Sequence, residues 1–364
     1  MRVHLLFVGK KFIYNNSLKE YVVRKVEQNC DFLSTITFFK ESDNALFMHL
    51  QNFLVSKDKL IIVTTKQNFS TIGKIISTIT SDNQILKNHM LLPSECNVYE
   101  DASYLLEYKG SIVNVLHVDE MKELPTILLN KESAKAIMYI FEQDFDELIN
   151  SLTPISKTYD VSIDIISIID GWTKVNITSE KYGDISKFIT LAKSKFPFSI
   201  IASSSIIDFI IEKLSHTNKK ITFAESCTGG LLAYYFTKNN GVSNILDGSL
   251  VTYSNKIKEN WLAVDEDVLE QYGAVSAQTV HQMSEGALNV SEADYSISIS
   301  GIAGDGGGSI DKPVGTVFIG VRSKSQHKEV HLNLSGDRNY IQYQSVLYSV
   351  KMLLLIDKEL FFEI

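Results

Sequence analysis

Residues 224–230 read Ala-Glu-Ser-Cys-Thr-Gly-Gly and stand between the apolar stretch 221–223 and the apolar run 231–236. Such a sequence ends a strand, turns on small hydroxyl-bearing residues and opens a helix. Free N–H groups and a partial positive charge at a helix N-terminus stabilise an oxyanion or a phosphate beside a nucleophile. Ser226 is the first candidate for that nucleophile. Its competing reading is a helix N-cap, in which the hydroxyl accepts a backbone N–H and reacts with nothing. Cys227 is intrinsically the better nucleophile, and a helix N-terminus lowers a thiol's pKa. Glu225 is counted among the substrate-binding residues of this turn: it either orients Ser226 or its base, or is a plain carboxylate beside a helix start. N–H groups near Thr228 and Gly229 are the candidate oxyanion donors.

A serine hydroxyl is a weak nucleophile until a neighbour takes its proton. No histidine stands at a comparable turn, but Lys258 does. The stretch 253–258, Tyr-Ser-Asn-Lys-Ile-Lys, follows the strand-like run 248–252. In a parallel sheet Tyr253 and Lys258 rise at the same carboxyl edge as Ser226, where open α/β sheets bind ligands. A lysine desolvated there loses affinity for its proton and serves as a general base, with the tyrosine hydroxyl relaying the proton or holding the geometry. The alternative for Lys256 and Lys258 is a solvated helix face.

Residues 301–308, Gly-Ile-Ala-Gly-Asp-Gly-Gly-Gly, follow the alternating strand 295–300 and precede Lys312-Pro313-Val314-Gly315. Main-chain N–H groups at Gly304, Gly306 and Gly307 can converge on an anion without side-chain clash. The pattern is not a Walker A loop. Arg338, after Ser335-Gly336-Asp337, is a second phosphate ligand by its planar guanidinium, or else a salt-bridge partner.

The elements that must position these groups alternate along a chain of 364 residues, too long for one ordinary core. Strands at 3–8, 34–39 and 60–64 interleave with helical stretches at 18–26, 46–54 and 72–79, which predicts a parallel sheet covered on both faces. A strand pair is expected around 111–118 and a helix at 120–129. Helical spacing over 134–152 leads the chain out of the first domain. A small unit follows with strands 161–168 and 173–178 and a helix 184–195. The last domain opens with a helix around 206–214 and ends with a helix 276–290, strands 316–322 and 329–334, and a helix 337–360.

A net charge of −8 argues against a broad nucleic-acid surface, and nucleic acid is not an expected partner. Three cysteines without a CxxC pair fit a reducing compartment. The eight histidines show no HExxH pattern and no sequence pairing with acids, so no metal site is expected. No apolar run reaches the roughly 20 residues that span a bilayer.

Five blocks in order, 224–230, 253–258, 273–276 (Gly-Ala-Val-Ser), 301–308 with 312–315, and 336–338 (Gly-Asp-Arg), resemble the C-terminal domain of the CinA family, named for competence and damage inducibility. The resemblance implies hydrolysis of the carboxamide of nicotinamide mononucleotide to nicotinic acid mononucleotide and ammonia. Ser226 would be the nucleophile, Tyr253 and Lys258 its activating partners, and the glycine loop with Arg338 the holder of the ribose phosphate. No cofactor and no metal are implied. Three departures stand out: Asp305 replaces a proline in the glycine loop, Ser300 a threonine before it, and Gln342 an arginine after the last block.

The layout of the first 200 residues resembles the full-length family: a three-layer α/β domain of molybdopterin-binding type over 1–150, a KH-like α+β domain over 151–203, and the α/β CinA domain over 204–364. In the family the first domain resembles a metal-dependent ADP-ribose pyrophosphatase. Here the turn after the first strand reads Gly9-Lys10-Lys11-Phe12-Ile13, with lysine in place of the acid, and residues 64–69 lack the expected glycines. An inactive scaffold that mediates dimerisation is expected. The whole reads as a cytoplasmic homodimer with a small nucleotide substrate and no membrane association. The alternatives are a non-catalytic regulatory protein linked to DNA uptake or repair, and retained ADP-ribose hydrolysis.

Overall fold

The structure is a computed structural model that describes residues 1–129, 133–179, 182–304 and 306–362. Its architecture is mixed α/β with several sheets, in two compact units, Met1–Ala134 and Lys135–Ile364. No helix among the described residues is long and apolar enough to cross a membrane.

In the first unit, β1 (Val3–Val8) is apolar on both sides because both sides are covered. Val3, Leu5 and Phe7 enter one core while Leu6 and Val8 enter another, the two-residue period of a strand dividing them. The chain continues through α1 (Lys10–Tyr14), α2 (Asn16–Asn29), β2 (Leu33–Phe39), α3 (Ala45–Phe53), β3 (Lys59–Thr65) and α4 (Lys66–Thr80). Then come the hairpin β4 (Gln84–Lys87) and β5 (Met90–Pro93), and the strands β6 (Val98–Glu100), β7 (Ser103–Tyr108) and β8 (Ser111–Val118). The main sheet runs β2-β1-β3-β8-β7-β6, parallel through its first four strands and antiparallel after them.

The helix expected at 120–129 does not form. Pro125 lacks the N–H a helix needs and pushes Leu124 toward extended backbone. The segment is pinned instead by side chains: Leu124 N donates to the Tyr21 hydroxyl at 3.2 Å and Leu128 N to Asn114 Oδ1 at 2.8 Å.

The second unit begins with β9 (Ala134–Phe141), α5 (Phe145–Thr158), β10 (Ser162–Ile169), β11 (Trp172–Ser179), α6 (Ile185–Lys195) and β12 (Ile200–Ala202), whose four strands form a sheet in the order β10-β11-β9-β12. The helical spacing read over 134–152 is corrected here. Residues 134–141 are a strand, and the helix starts only after Asp144 caps it by accepting from Glu147 N at 2.9 Å. Met138 and Ile140 pack under α5 and α6, while Tyr139 and Phe141 enter the large core of the last sheet. A strand buried on both faces loses its alternation and reads like a short helix. The expected boundary at residue 150 falls inside α5.

The remainder holds α7 (Ile206–His216), β13 (Ile221–Glu225), α8 (Leu231–Thr237), β14 (Leu246–Val251), α9 (Asn255–Leu262), α10 (Glu266–Tyr272), α11 (Ala277–Asn289), β15 (Tyr295–Gly301), β16 (Thr316–Ser323), β17 (His327–Asn333), α12 (Arg338–Ile356) and α13 (Lys358–Phe361). The sheet order is β14-β13-β15-β16-β17, with β14, β13 and β15 parallel. Ile221 and Phe223 face the core shared with α7, α8 and α12, while Ala224 faces Leu262 and Met283 of α9 and α11.

On β15 the alternation Ser-Ile-Ser-Ile-Ser is buried on both sides. Its serines face α11 and its N-terminal approach, donating to main-chain carbonyls: Ser296 to Ser284, Ser298 to Val280 and Ser300 to Ala274, at 2.6–2.7 Å. The hydroxyls are satisfied by the helix they support, so their burial carries no desolvation debt.

Candidate active site

Because β13, β14 and β15 are parallel, their carboxyl ends lie at one edge of the sheet. Ser226 follows β13, Tyr253 follows β14, and Gly301 ends β15 with Ile302 to Gly304 after it. They share a cavity of about 530 Å³ with Lys258 of α9, Ala274 and Val275 before α11, Gly306, Gly307, and Arg338 of α12.

Ser226 sits in a tight turn. Its N–H donates to Ile299 O at 2.9 Å, and its own carbonyl receives Gly229 N at 3.2 Å. Gly229 and Gly230 have φ of 59° and 101°, the left-handed backbone that swings the chain into α8. The Ser226 side chain does not cap that helix. The cap is Glu225, fully buried, whose two carboxylate oxygens accept the N–H groups of Gly230, Leu232 and Ala233 at 2.9–3.1 Å and the Ser249 hydroxyl at 3.2 Å. Glu225 therefore stands away from the cavity, and the expectation that it binds substrate is corrected.

Lys258 is fully buried, and its Nζ donates to Ser226 Oγ at 3.1 Å, Thr252 O at 2.8 Å and Tyr253 O at 3.2 Å. Burial pulls its pKa down to about 8, opposed more weakly by the neighbouring Cys227. Two carbonyls and one hydroxyl use all three donors of the ammonium. In the neutral amine the two carbonyls still hold two N–H bonds, which turns the lone pair toward Ser226. The solvated reading of Lys258 does not survive.

Tyr253 acts on this pair only through its main chain. Its ring is 62% exposed, and its hydroxyl accepts from Arg338 Nη2 at 3.1 Å, not from Ser226 or Lys258. The expected relay by the phenol is thus replaced by a carbonyl contact. Cys227 lies against the same turn, but burial pushes its thiol up to about 12, so it is no thiolate at neutral pH.

Of the expected anion ligands, Gly304, Gly306, Gly307 and Arg338 line the cavity together. Arg338 Nη1 lies 2.6 Å from where a Cβ on Gly304 would be, so a side chain there would displace the guanidinium from this position. Asp305 lies outside the described residues. Thr228 and Gly229 are not in the lining; Gly229 N–H is spent inside the turn, which removes it as an oxyanion donor. Among the described residues no acceptor is found for the N–H groups of Cys227 and Thr228. The cations at the cavity are Lys258 and Arg338, and no carboxylate belongs to its described lining.

Sequence reasoning assigned no role to Gln342. Its Nε2 donates to Cys227 O at 2.6 Å, tying α12 to the serine turn. The available signal was its position four residues after Arg338, one helical turn along the same face. Ala274 and Val275, of the block 273–276, also line the cavity, and nothing in their residue types marks them for it. Ser300 holds them in place through Ala274 O.

A buried serine–lysine pair lies at the carboxyl edge of a parallel sheet and faces a cavity lined by glycines and Arg338, in a domain of α/β class. The CinA C-terminal domain family matches residues 203–356. A nicotinamide-nucleotide amidohydrolase PncC from Enterobacter agglomerans is 47% identical over 132 residues, 36% of this chain and 80% of that protein. The chain belongs to the CinA family. A CinA-like protein from Petrotoga mobilis is 29% identical over 307 residues, 81% of this chain and 75% of the relative. With a CinA-like protein from Thermotoga neapolitana the identity is 43% over 146 residues, and the match spans only 36% of that relative's length. The crystal structure of a competence/damage inducible protein from Agrobacterium tumefaciens shares 36% identity, covering 41% of this chain and 92% of the other with a TM-score of 0.41.

Proposed function

We propose that the C-terminal domain hydrolyses the carboxamide of nicotinamide mononucleotide, with Ser226 as nucleophile and Lys258 as general base. The observation that carries the reading is the 3.1 Å contact between Lys258 Nζ and Ser226 Oγ, both side chains buried and the amine held by two carbonyls. The 47% identity to a protein named for this activity supports the substrate.

In the proposed sequence, Lys258 as the free amine takes the Ser226 proton while Oγ bonds to the carboxamide carbon. The carbonyl oxygen becomes an oxyanion beside the main-chain N–H of Cys227, as the residue after the nucleophile serves in related strand-turn-helix sites. Collapse expels ammonia, which takes the proton from Lys258, and leaves an ester on Ser226. Water then attacks the ester, gives its proton to Lys258, and the carboxylate leaves as Ser226 is reprotonated. Arg338 and the N–H groups of the glycine loop meet the phosphate; Tyr253 positions Arg338.

The same proposal includes a first domain without pyrophosphatase activity. Lys11, where the family has an acid, is paired with Glu120 at 3.1 Å. A cytoplasmic homodimer completes it. The deciding experiment measures ammonia release by the purified chain from the nucleotide and from its dephosphorylated riboside. Release that depends on the phosphate and vanishes in Ser226→Ala is expected; a folded chain that releases none sinks the reading.

A further inference from the structure

The helix α11 approaches its sheet closely enough to bring together side chains that are far apart in the sequence. Gly320 of β16 permits this: a Cβ there would fall 2.8 Å from Val280 O and 2.6 Å from Ser298 Oγ. Glu329 stands opposite Gly320 across the β16–β17 ladder, and His327 opposite Arg322. Residues two apart on a strand share a face, so His327 and Glu329 both look toward α11. From that helix His281 comes down onto them. Its Nδ1 is 2.7 Å from Glu329 Oε1, His327 Nδ1 is 3.3 Å from the same oxygen, and the two rings meet edge to face at 4.7 Å. One donor atom from each of the three lies within 4.8 Å of the others. Their side chains are 35%, 51% and 20% exposed, open to an ion from solvent.

We propose that His281, His327 and Glu329 form a site for a divalent transition-metal cation, zinc fitting best, that ties α11 to the edge strand β17. Two imidazole nitrogens and one carboxylate oxygen are a donor set zinc favours, with water in the fourth place. Tetrahedral bonds of about 2.1 Å put ligand atoms roughly 3.4 Å apart. The 3.3 Å contact already has that separation, and the 2.7 Å contact needs a small opening.

Arg322 is the opposing group. Its Nη2 lies 2.9 Å from His281 Nε2, so Nε2 accepts while Nδ1–H donates to Glu329. Metal on Nδ1 reverses the tautomer: the ring's proton moves to Nε2 and the guanidinium lets go. It has other partners within reach, Glu285 at 4.0 Å and Ser284 Oγ at 3.4 Å. Imidazole ligands must be deprotonated, so affinity falls in acid.

The test titrates the chelator-treated full-length chain with Zn²⁺, and with Co²⁺ for its visible absorption, at neutral pH. One equivalent bound, a four-coordinate cobalt spectrum and a raised melting temperature are expected. His327→Ala and Glu329→Gln should each weaken binding about a hundredfold, and Arg322→Gln should tighten it about tenfold by removing the competing charge. Circular dichroism confirms that each variant is folded. The proposal is overturned if the wild-type chain binds neither ion, or if His327→Ala and Glu329→Gln bind as tightly as it does. The readout is metal binding, so it stands or falls separately from ammonia release.

Discussion

Arg338 and Tyr253 hold each other at the exposed rim of the cavity, guanidinium to phenol at 3.1 Å, while the tyrosine's main-chain carbonyl reaches inward to Lys258. Tyr253 thus touches both Arg338 and Lys258, through different atoms. Arg338→Ala should raise KM for the nucleotide roughly ten- to a hundredfold, the worth of a charged hydrogen bond, and leave the riboside almost unaffected. Tyr253→Phe keeps the carbonyl and should cost only a few-fold, mostly in KM. Steady-state ammonia release on both substrates separates these effects; a Tyr253→Phe loss as large as that of Lys258→Met would restore the phenol as a proton relay.

Lys258 must be neutral to take a proton. With its pKa lowered to about 8, kcat/KM should climb with pH through that value and level off above it. Ser226→Ala and Lys258→Met should each lower kcat about a thousandfold or more while the circular dichroism spectrum is retained. A flat pH profile between 6 and 10 would remove Lys258 as the base.

The same shift makes a stability prediction. The folded chain holds this amine's proton less tightly than the unfolded chain, whose lysine titrates near 10.5. Below about 8 the cost of burying the charge is present in full, and it is relieved as pH rises from 8 toward 10.5. Urea midpoints of wild type should therefore rise relative to Lys258→Met across that window, by about 3 kcal/mol at most.

Glu225→Ala leaves three backbone N–H groups of the α8 start without their acceptor and should cost about 3 kcal/mol or more. Glu225→Gln keeps the shape but turns an NH₂ toward donors, and should also destabilise. Thermal melts decide whether Glu225 is structural: a stable Glu225→Gln with altered KM would return it to the cavity.

Gln342→Ala should lower kcat roughly fivefold with little change in KM, since it frees the Cys227 carbonyl but touches no substrate atom. Equal effects on kcat and stability would reduce its contribution to packing.

Much of this was legible beforehand, for reasons specific to each element. The strand-turn-helix around Ser226 and the strand 316–322 have short periods and glycine punctuation, and they lie where expected. β9 does not stand out because both its faces are buried, and the apolar spacing over 120–129 suggests a helix that Pro125 forbids. The site was legible as a set of residues but not as a set of contacts. That Tyr253 would offer a carbonyl, and Glu225 a cap, depends on side-chain direction, which spacing does not encode. The histidine tripod joins residues 281 and 327 through a helix-to-sheet approach that no local pattern announces.

The three serines of β15 give that strand something like a reading frame. Each hydroxyl is matched to one carbonyl at or before α11, so inserting or deleting a single residue within 295–300 would exchange the serine face for the isoleucine face along its whole length. Homologous chains can be expected to vary in length in the turns around this strand while keeping its own count fixed, and an indel scan would mark the wall facing Ser226 as the least tolerant part of the domain.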